Sequence, residues 1–145
     1  MQISFHFLQS CVLSNRNDLR AFLHFLTKKE KTKIESIDII FCDDEYLHTL
    51  NVQHLNHDTL TDIITFDLTH NKTQPKVAEL YISVPRVKEN AKIFKTTIKK
   101  ELHRVIFHGT LHLCGYKDKK PNEVKLIREK EDVYLNLYFN KPQKR

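Results

Sequence analysis

The chain of 145 residues contains only two glycines. Average usage of about 7% would supply roughly ten. This scarcity excludes a collagen-like repeat, a Gly-rich linker and a small sheet protein built on Gly-dependent turns. Each remaining glycine is expected where the backbone requires it. Cysteine is also sparse: Cys11, Cys42 and Cys114 stand far apart and form no CxxC pair. Free, mostly buried thiols in a reducing compartment are expected, not a disulfide framework. No apolar run approaches the roughly 18 residues that span a bilayer. The opening MQISFHFLQS has no basic segment leading into an apolar one, so no secretory signal is expected. These absences predict a soluble, cytoplasmic protein with no membrane partner.

What is present suits one domain over residues 1–145. Mass scaling gives a folded surface of roughly 7,800 Å² against about 25,000 Å² unfolded, so a core can form without cross-links. Lys and Arg number 24 against 18 Asp and Glu, a formal net charge of +6. The excess favours an anionic partner, of which nucleic acid is the commonest.

Residues 2–8 alternate apolar and polar and predict a strand. A helix is predicted over 15–30, capped by Asn15 or Asn17, with Leu19, Phe22, Leu23 and Leu26 as its apolar stripe. The β-branched run 34–42 predicts a second strand. Asp43 and Asp44 then stand where caps belong, ahead of the helix DEYLHTLNVQHL. Residues 61–68 and 77–83 read as two more strands, with a polar turn between them. Ser83 can cap a helix that carries Pro85 in its first turn and runs to about Phe94. Further helices are predicted over 98–114 and, after Pro121, over 122–138. Strands and helices mix without strict alternation, which predicts an α/β or α+β fold around one sheet.

The chemistry concentrates in HGTLHLCGYKD, residues 108–118, which holds both glycines. His108 and His112 stand at i and i+4 on a predicted helix, on one face and about 6 Å apart along its axis. Gly115 allows the left-handed conformation that ends a helix and reverses the chain. Asp118 can then return as a third ligand. The resulting H-x-x-x-H-x-x-G-x-x-D resembles the metzincin spacing, H-E-x-x-H-x-x-G-x-x-H. Gly109 replaces the Glu that serves as base in peptide hydrolysis, which weakens a protease reading and is expected to leave room beside the ligands. A carboxylate is an acceptable zinc ligand, and its hardness favours tolerance of Mn²⁺. Two His at this spacing also arise on a His-rich chain with nothing bound between them.

This stretch is similar to the signature HGxLHLxGxDH of the YbeY family of rRNA maturation endoribonucleases. Further matches follow in order. Leu50-Asn51, His57-Asp58 and Thr61-Asp62-Ile63-Ile64-Thr65-Phe66 resemble LNxxYRxKDxPTDVLSF. Ala78-Glu79-Leu80-Tyr81-Ile82-Ser83 resembles GDIxIS. The resemblance implies an α+β, metzincin-like fold: one mixed four-stranded sheet packed by about five helices, with a single zinc in a cleft. It implies one Zn²⁺ per chain, with Mn²⁺ or another divalent ion possible, held by His108, His112 and Asp118. It also implies a metal-dependent, single-strand-specific endoribonuclease of 16S rRNA 3′-end maturation and ribosome quality control. Its partners would be rRNA and the small ribosomal subunit, not DNA.

The departures are specific. The family's Tyr-Arg pair falls on His54-Leu55, so an Arg proposed to act in catalysis is missing, and the Pro of PTD falls on Leu60. Asp118 stands where the family usually has His. Asp62 and Glu79 are the nearest candidates for a catalytic base; the plainer reading of each is strand-end capping or sheet-edge polarity. For RNA, Lys117, Lys119 and Lys120 flank the motif. Lys88, Lys92, Lys95 and Lys99 would form a basic stripe if one helix ran unbroken past Thr96-Thr97, although a solvated helix face explains them equally well. His6 and His24 are expected to be structural or on the surface, and His103 to lie off the ligand face. Phe22, Phe25, Phe66, Phe94 and Phe107 are expected in the core. Two other readings stand beside the nuclease: a metallohydrolase on another substrate, and a ribosome-assembly factor whose zinc is structural or vestigial.

Overall fold

The computed structural model describes residues 1–55 and 61–140. Within them the elements run β1 (Gln2–Phe7), α1 (Arg16–Lys29), β2 (Ile34–Cys42), α2 (Asp44–Leu55), β3 (Ile63–Asp67), β4 (Lys76–Ser83), α3 (Val84–Ile93), α4 (Ile98–Leu113) and α5 (Pro121–Phe139). His57, Asp58 and Leu60 lie outside the described residues. The strands form one mixed sheet in the order β1-β2-β4-β3. β1, β2 and β4 run parallel to one another, and β3 closes one edge antiparallel to β4. Four strands and five helices match the architecture that the sequence implies.

Side-chain parity assigns the two faces of the sheet. Ile63 pairs with Ile82 and Thr65 with Leu80. Leu80 and Ile82 belong to the main core, with Leu19 and Leu23 of α1, Val105, Ile106 and Leu111 of α4, and Tyr134 of α5. Ile64 pairs with Tyr81 and Phe66 with Glu79. Ile64, Phe66 and Tyr81 pack with Leu47 and Leu50 of α2 in a smaller cluster on the other face.

The helix ends follow local chemistry, with one exception. Asp43 accepts from the Tyr46 N–H at 2.8 Å, Ser83 from the Arg86 N–H at 3.2 Å and Thr97 from the Lys100 N–H at 3.0 Å. These side chains satisfy amide groups that have no partner inside the helix. At α1 the expected cap does not form: Asn15 is left-handed, with φ 56°, and its side chain makes no capping bond. Asn17 lies inside the helix and accepts from Arg20 instead.

Other expectations are corrected. Lys95 is left-handed, with φ 54°, and separates α3 from α4, so Lys88 to Lys99 do not share one helix face. Phe22 and Phe107 pack in the core with tilted rings 5.1 Å apart, but Phe25 and Phe94 are 44% and 51% exposed. Phe94 stands at the end of α3, where the Arg104 guanidinium lies 6.0 Å from its ring. Of the three free thiols only Cys42 is buried; Cys11 and Cys114 are partly covered. Burial, with Asp43 and Asp44 nearby, pushes the Cys42 thiol up to about 12. Gly109 faces the sheet and gives no room beside the ligands. A Cβ there would stand 2.7 Å from Ile63 Cδ1 and 3.1 Å from Leu80 Cδ2. The missing side chain lets α4 lie close against β3 and β4.

Candidate metal centre

α4 carries His108 and His112 one turn apart into a cleft of about 540 Å³ beside the edge strand β3. Asp62, Ile63, Thr65 and Asp118 are among the other residues that line it. The chain leaves α4 through a two-bond C-terminal motif. The Tyr116 N–H donates to the Leu111 carbonyl at 3.1 Å, and the Gly115 N–H donates to the His112 carbonyl at 3.0 Å. Gly115 takes φ 102°, a conformation L side chains rarely adopt. Nothing lies within 4 Å of where its Cβ would be, so its conformation alone requires glycine. Gly115→Ala is therefore expected to cost about 1–2 kcal/mol, read as a lower denaturation midpoint.

The turn returns Asp118 to the two imidazoles. Asp118 Oδ2 lies 3.2 Å from both Nε2 atoms, which are themselves 3.0 Å apart. The opposite ring nitrogens fix the tautomers. His112 Nδ1 lies 2.8 Å from the Tyr116 carbonyl, which can only accept, so Nδ1 carries the proton. His108 Nδ1 donates to Glu131 Oε2 at 2.5 Å in the same way. With Nδ1 engaged in this way, the Nε2 atom of each ring is the one turned toward the other ring and toward the Asp118 carboxylate, and it is the atom available as a ligand. A tetrahedral zinc site with bonds of about 2.0–2.1 Å has ligand-to-ligand edges of about 3.3–3.4 Å, close to the spacing here. His108, His112 and Asp118 are thus a ligand set that a divalent ion fits.

A buried network stands behind His108. Glu131 is fully buried and Glu101 is 2% exposed. Arg104 donates to Glu131 Oε1 at 2.8 Å and to both oxygens of Glu101, at 2.9 and 2.5 Å. Burial would raise the Glu131 carboxyl, but His108 and Arg104 hold it below the usual carboxylate range. A carboxylate behind a ligating His fixes ring and tautomer and strengthens the ligand. The sequence reading missed this residue. Its signal was present: Ile127, Glu131, Tyr134 and Tyr138 form the buried stripe of α5, and Glu131 is its one charged member.

The remaining candidates separate by position. Asp62 lines the cleft, with Oδ2 3.8 Å from the Arg104 guanidinium. Glu79 pairs with Phe66 on the α2 face, away from the cleft, and accepts from the Tyr81 hydroxyl at 3.1 Å. Lys119 lines the cleft; Lys117 and Lys120 flank it in sequence without lining it. Lys88 and Lys92 lie on α3, also outside the cleft lining. Leu55, which takes the place of the family Arg, lines the cleft. His103 is buried off the ligand face, stacked on Tyr138 at 4.9 Å.

A four-stranded mixed sheet, with two His and one Asp gathered by a helix and its turn, defines a small α+β protein whose cleft holds a side-chain group that could bind a metal ion. Residues 9–138 match the family model described as Endoribonuclease YbeY, and the chain belongs to that family. It is 44% identical to the Endoribonuclease YbeY of Christiangramia forsetii over 137 residues, 94% of each chain. It is 47% identical to that of Cytophaga hutchinsonii over 125 residues, covering 86% of this chain and 87% of the relative. Among solved structures, the solution structure of TM1509 from Thermotoga maritima matches with a TM-score of 0.60 at 26% identity, covering both chains fully.

Proposed function

We propose that the chain is a metal-dependent endoribonuclease that cuts single-stranded RNA in 16S rRNA 3′-end maturation, with a part in ribosome quality control. The observation that carries the chemistry is the convergence of two imidazole Nε2 atoms and one carboxylate in an open cleft. The relatives' name, Endoribonuclease YbeY, supplies the reaction class, and the motifs of residues 50–118 supply the rRNA assignment. The proposed cofactor is one Zn²⁺, with Mn²⁺ tolerated because of Asp118, in a metzincin-like arrangement. The proposed partner is the small ribosomal subunit and the proposed location the cytoplasm. No helix among the described residues is long and apolar enough to cross a membrane.

When bound, the divalent ion supplies Lewis acidity toward a phosphoryl oxygen and an activated nucleophile. The protein's residues do the rest. Glu131 and the Tyr116 carbonyl hold the two imidazoles in the ligating tautomer. Asp62 faces the same cleft and is the proposed proton acceptor, its carboxylate steadied by Arg104. Glu79, on the other face of the sheet, is given no part in the chemistry. Lys119 brings a positive charge to the rim, where an RNA phosphate enters.

Lys119→Ala is expected to weaken single-stranded RNA binding at every sequence tested. The slope of log affinity against log salt should fall by about 0.7, the value for one phosphate contact on a single strand. An unchanged slope removes Lys119 from the interface.

The second reading, an assembly factor with a structural zinc, draws support from Leu55, an apolar side chain in the cleft where the family carries Arg. Complementation separates the two readings. Under the nuclease reading, ligand variants associate with the ribosome but fail to restore 16S 3′-end processing. Full restoration would favour the assembly factor.

A further inference from the structure

We infer that Glu30 is a positioning residue for the metal centre: it grips the Tyr116 side chain and so holds the carbonyl that orients His112. The inference rests on the metal-centre reading above and adds to it a residue more than eighty positions away in sequence.

The contacts form one continuous path. Glu30 follows α1 and ends it, its N–H donating to the Leu26 carbonyl. Its side chain is 11% exposed. Oε1 accepts from the Tyr116 hydroxyl at 2.7 Å, and Oε2 accepts from the Tyr134 hydroxyl. Lys130 Nζ stands 3.7 Å from Oε2. Tyr134 and Lys130 both belong to α5, and Tyr134 is buried in the main core. Glu30 therefore ties three parts together: the end of α1, the middle of α5 and the turn after α4.

Tyr116 is the residue through which this tie reaches the site. Its side chain meets Glu30, while its own carbonyl accepts a hydrogen bond from His112 Nδ1 at 2.8 Å. Asp118 follows two residues later. Apart from this tie, Cys114 and Tyr116 pack against the main core. Gly115 has open space around its missing Cβ, and the turn's own bonds are backbone bonds to the last turn of α4. Such a turn can pivot about Gly115 unless a side chain anchors it to the body of the protein.

The protonation state agrees with the geometry. Burial would raise Glu30, but the Tyr134 and Tyr116 hydroxyls, with Lys130 and Lys29, hold its carboxyl below the usual range. Hydrogen bonds from hydroxyls to an ionised acceptor are among the stronger kinds.

The test uses the full chain and two variants. Tyr116→Phe deletes the hydroxyl and keeps ring and backbone; Glu30→Gln keeps shape and removes charge. Zn²⁺ affinity is measured by chelator competition, and the visible spectrum of Co²⁺-loaded protein reports ligand geometry. Circular dichroism of the metal-free proteins checks the fold. Each variant is expected to bind Zn²⁺ about 10–100-fold more weakly, as when other outer partners of metal ligands are lost, and to show an altered Co²⁺ spectrum. Wild-type affinity and spectrum in both variants would overturn the inference while leaving the metal centre intact. Absence of Zn²⁺ and Co²⁺ binding in the wild type would overturn the metal-centre reading, and this inference with it. Should Glu30→Gln not fold, Tyr116→Phe decides alone.

Discussion

Glu131→Ala is expected to destabilise the protein by about 3–5 kcal/mol and to weaken metal binding about 10–100-fold. The first effect follows from burial. Glu131 has no exposed surface and satisfies two donors at once, Arg104 Nη1 at 2.8 Å and His108 Nδ1 at 2.5 Å. Its removal leaves a buried guanidinium with fewer partners and a buried ring N–H with none, on either side of a new cavity. Breaking one member of a buried charged group costs far more than the group contributes against an apolar replacement. The second effect follows from the tautomer. Without an acceptor at Nδ1, His108 has no reason to keep its proton there and present Nε2 to the ion. Urea denaturation of the metal-free protein reads the first effect, and Zn²⁺ competition reads the second. Glu131→Gln keeps the volume but offers an N–H to one of two groups that are themselves donors, so a loss of about 2 kcal/mol is expected.

His112→Ala is expected to lower RNA cleavage about 1,000-fold or more while leaving the fold in place. His112 Nε2 lies 3.0 Å from His108 Nε2 and 3.2 Å from Asp118 Oδ2, so it completes a three-atom ligand set. Two ligands hold the ion poorly, and the loss removes several kcal/mol of transition-state stabilisation that the ion provides; each 1.36 kcal/mol is tenfold in rate. His112 is part-exposed and its side-chain bonds lie within the centre and its turn. Its deletion therefore opens no hole in the core. Single-turnover cleavage of a single-stranded RNA, with the denaturation curve beside it, separates the two quantities.

The cluster of His108, His112 and Asp118 was legible in the sequence because its geometry is local. Helical spacing sets His108 against His112, and a glycine with positive φ sets the return of Asp118. The strands and the Ser83 cap were legible for the same reason. What escaped depends on contacts between distant elements. Glu131 reaches His108 across the packing of α5 on α4, which helical spacing within α5 does not reveal. Glu79 resembles a family position. Pairing with Phe66 sets it on the α2 face, and a one-residue change of register would reverse that assignment. Gly109 looked like space left for chemistry but serves the close approach of α4 to Ile63 and Leu80. The break that keeps Lys88 to Lys99 off one helix face was legible, since the sequence ends one helix near Phe94 and begins the next at Ile98.

The central claim is that the cleft of His108, His112 and Asp118 is the cutting site of an RNA-cleaving enzyme that depends on its metal. Its most direct test strips wild-type and His112→Ala protein with chelator, purified in parallel, and assays cleavage of single-stranded RNA before and after Zn²⁺ or Mn²⁺ is restored. Cleavage that vanishes on stripping and returns with metal only in the wild type is the predicted result. Equal cleavage by both proteins, indifferent to chelator and metal, would contradict it.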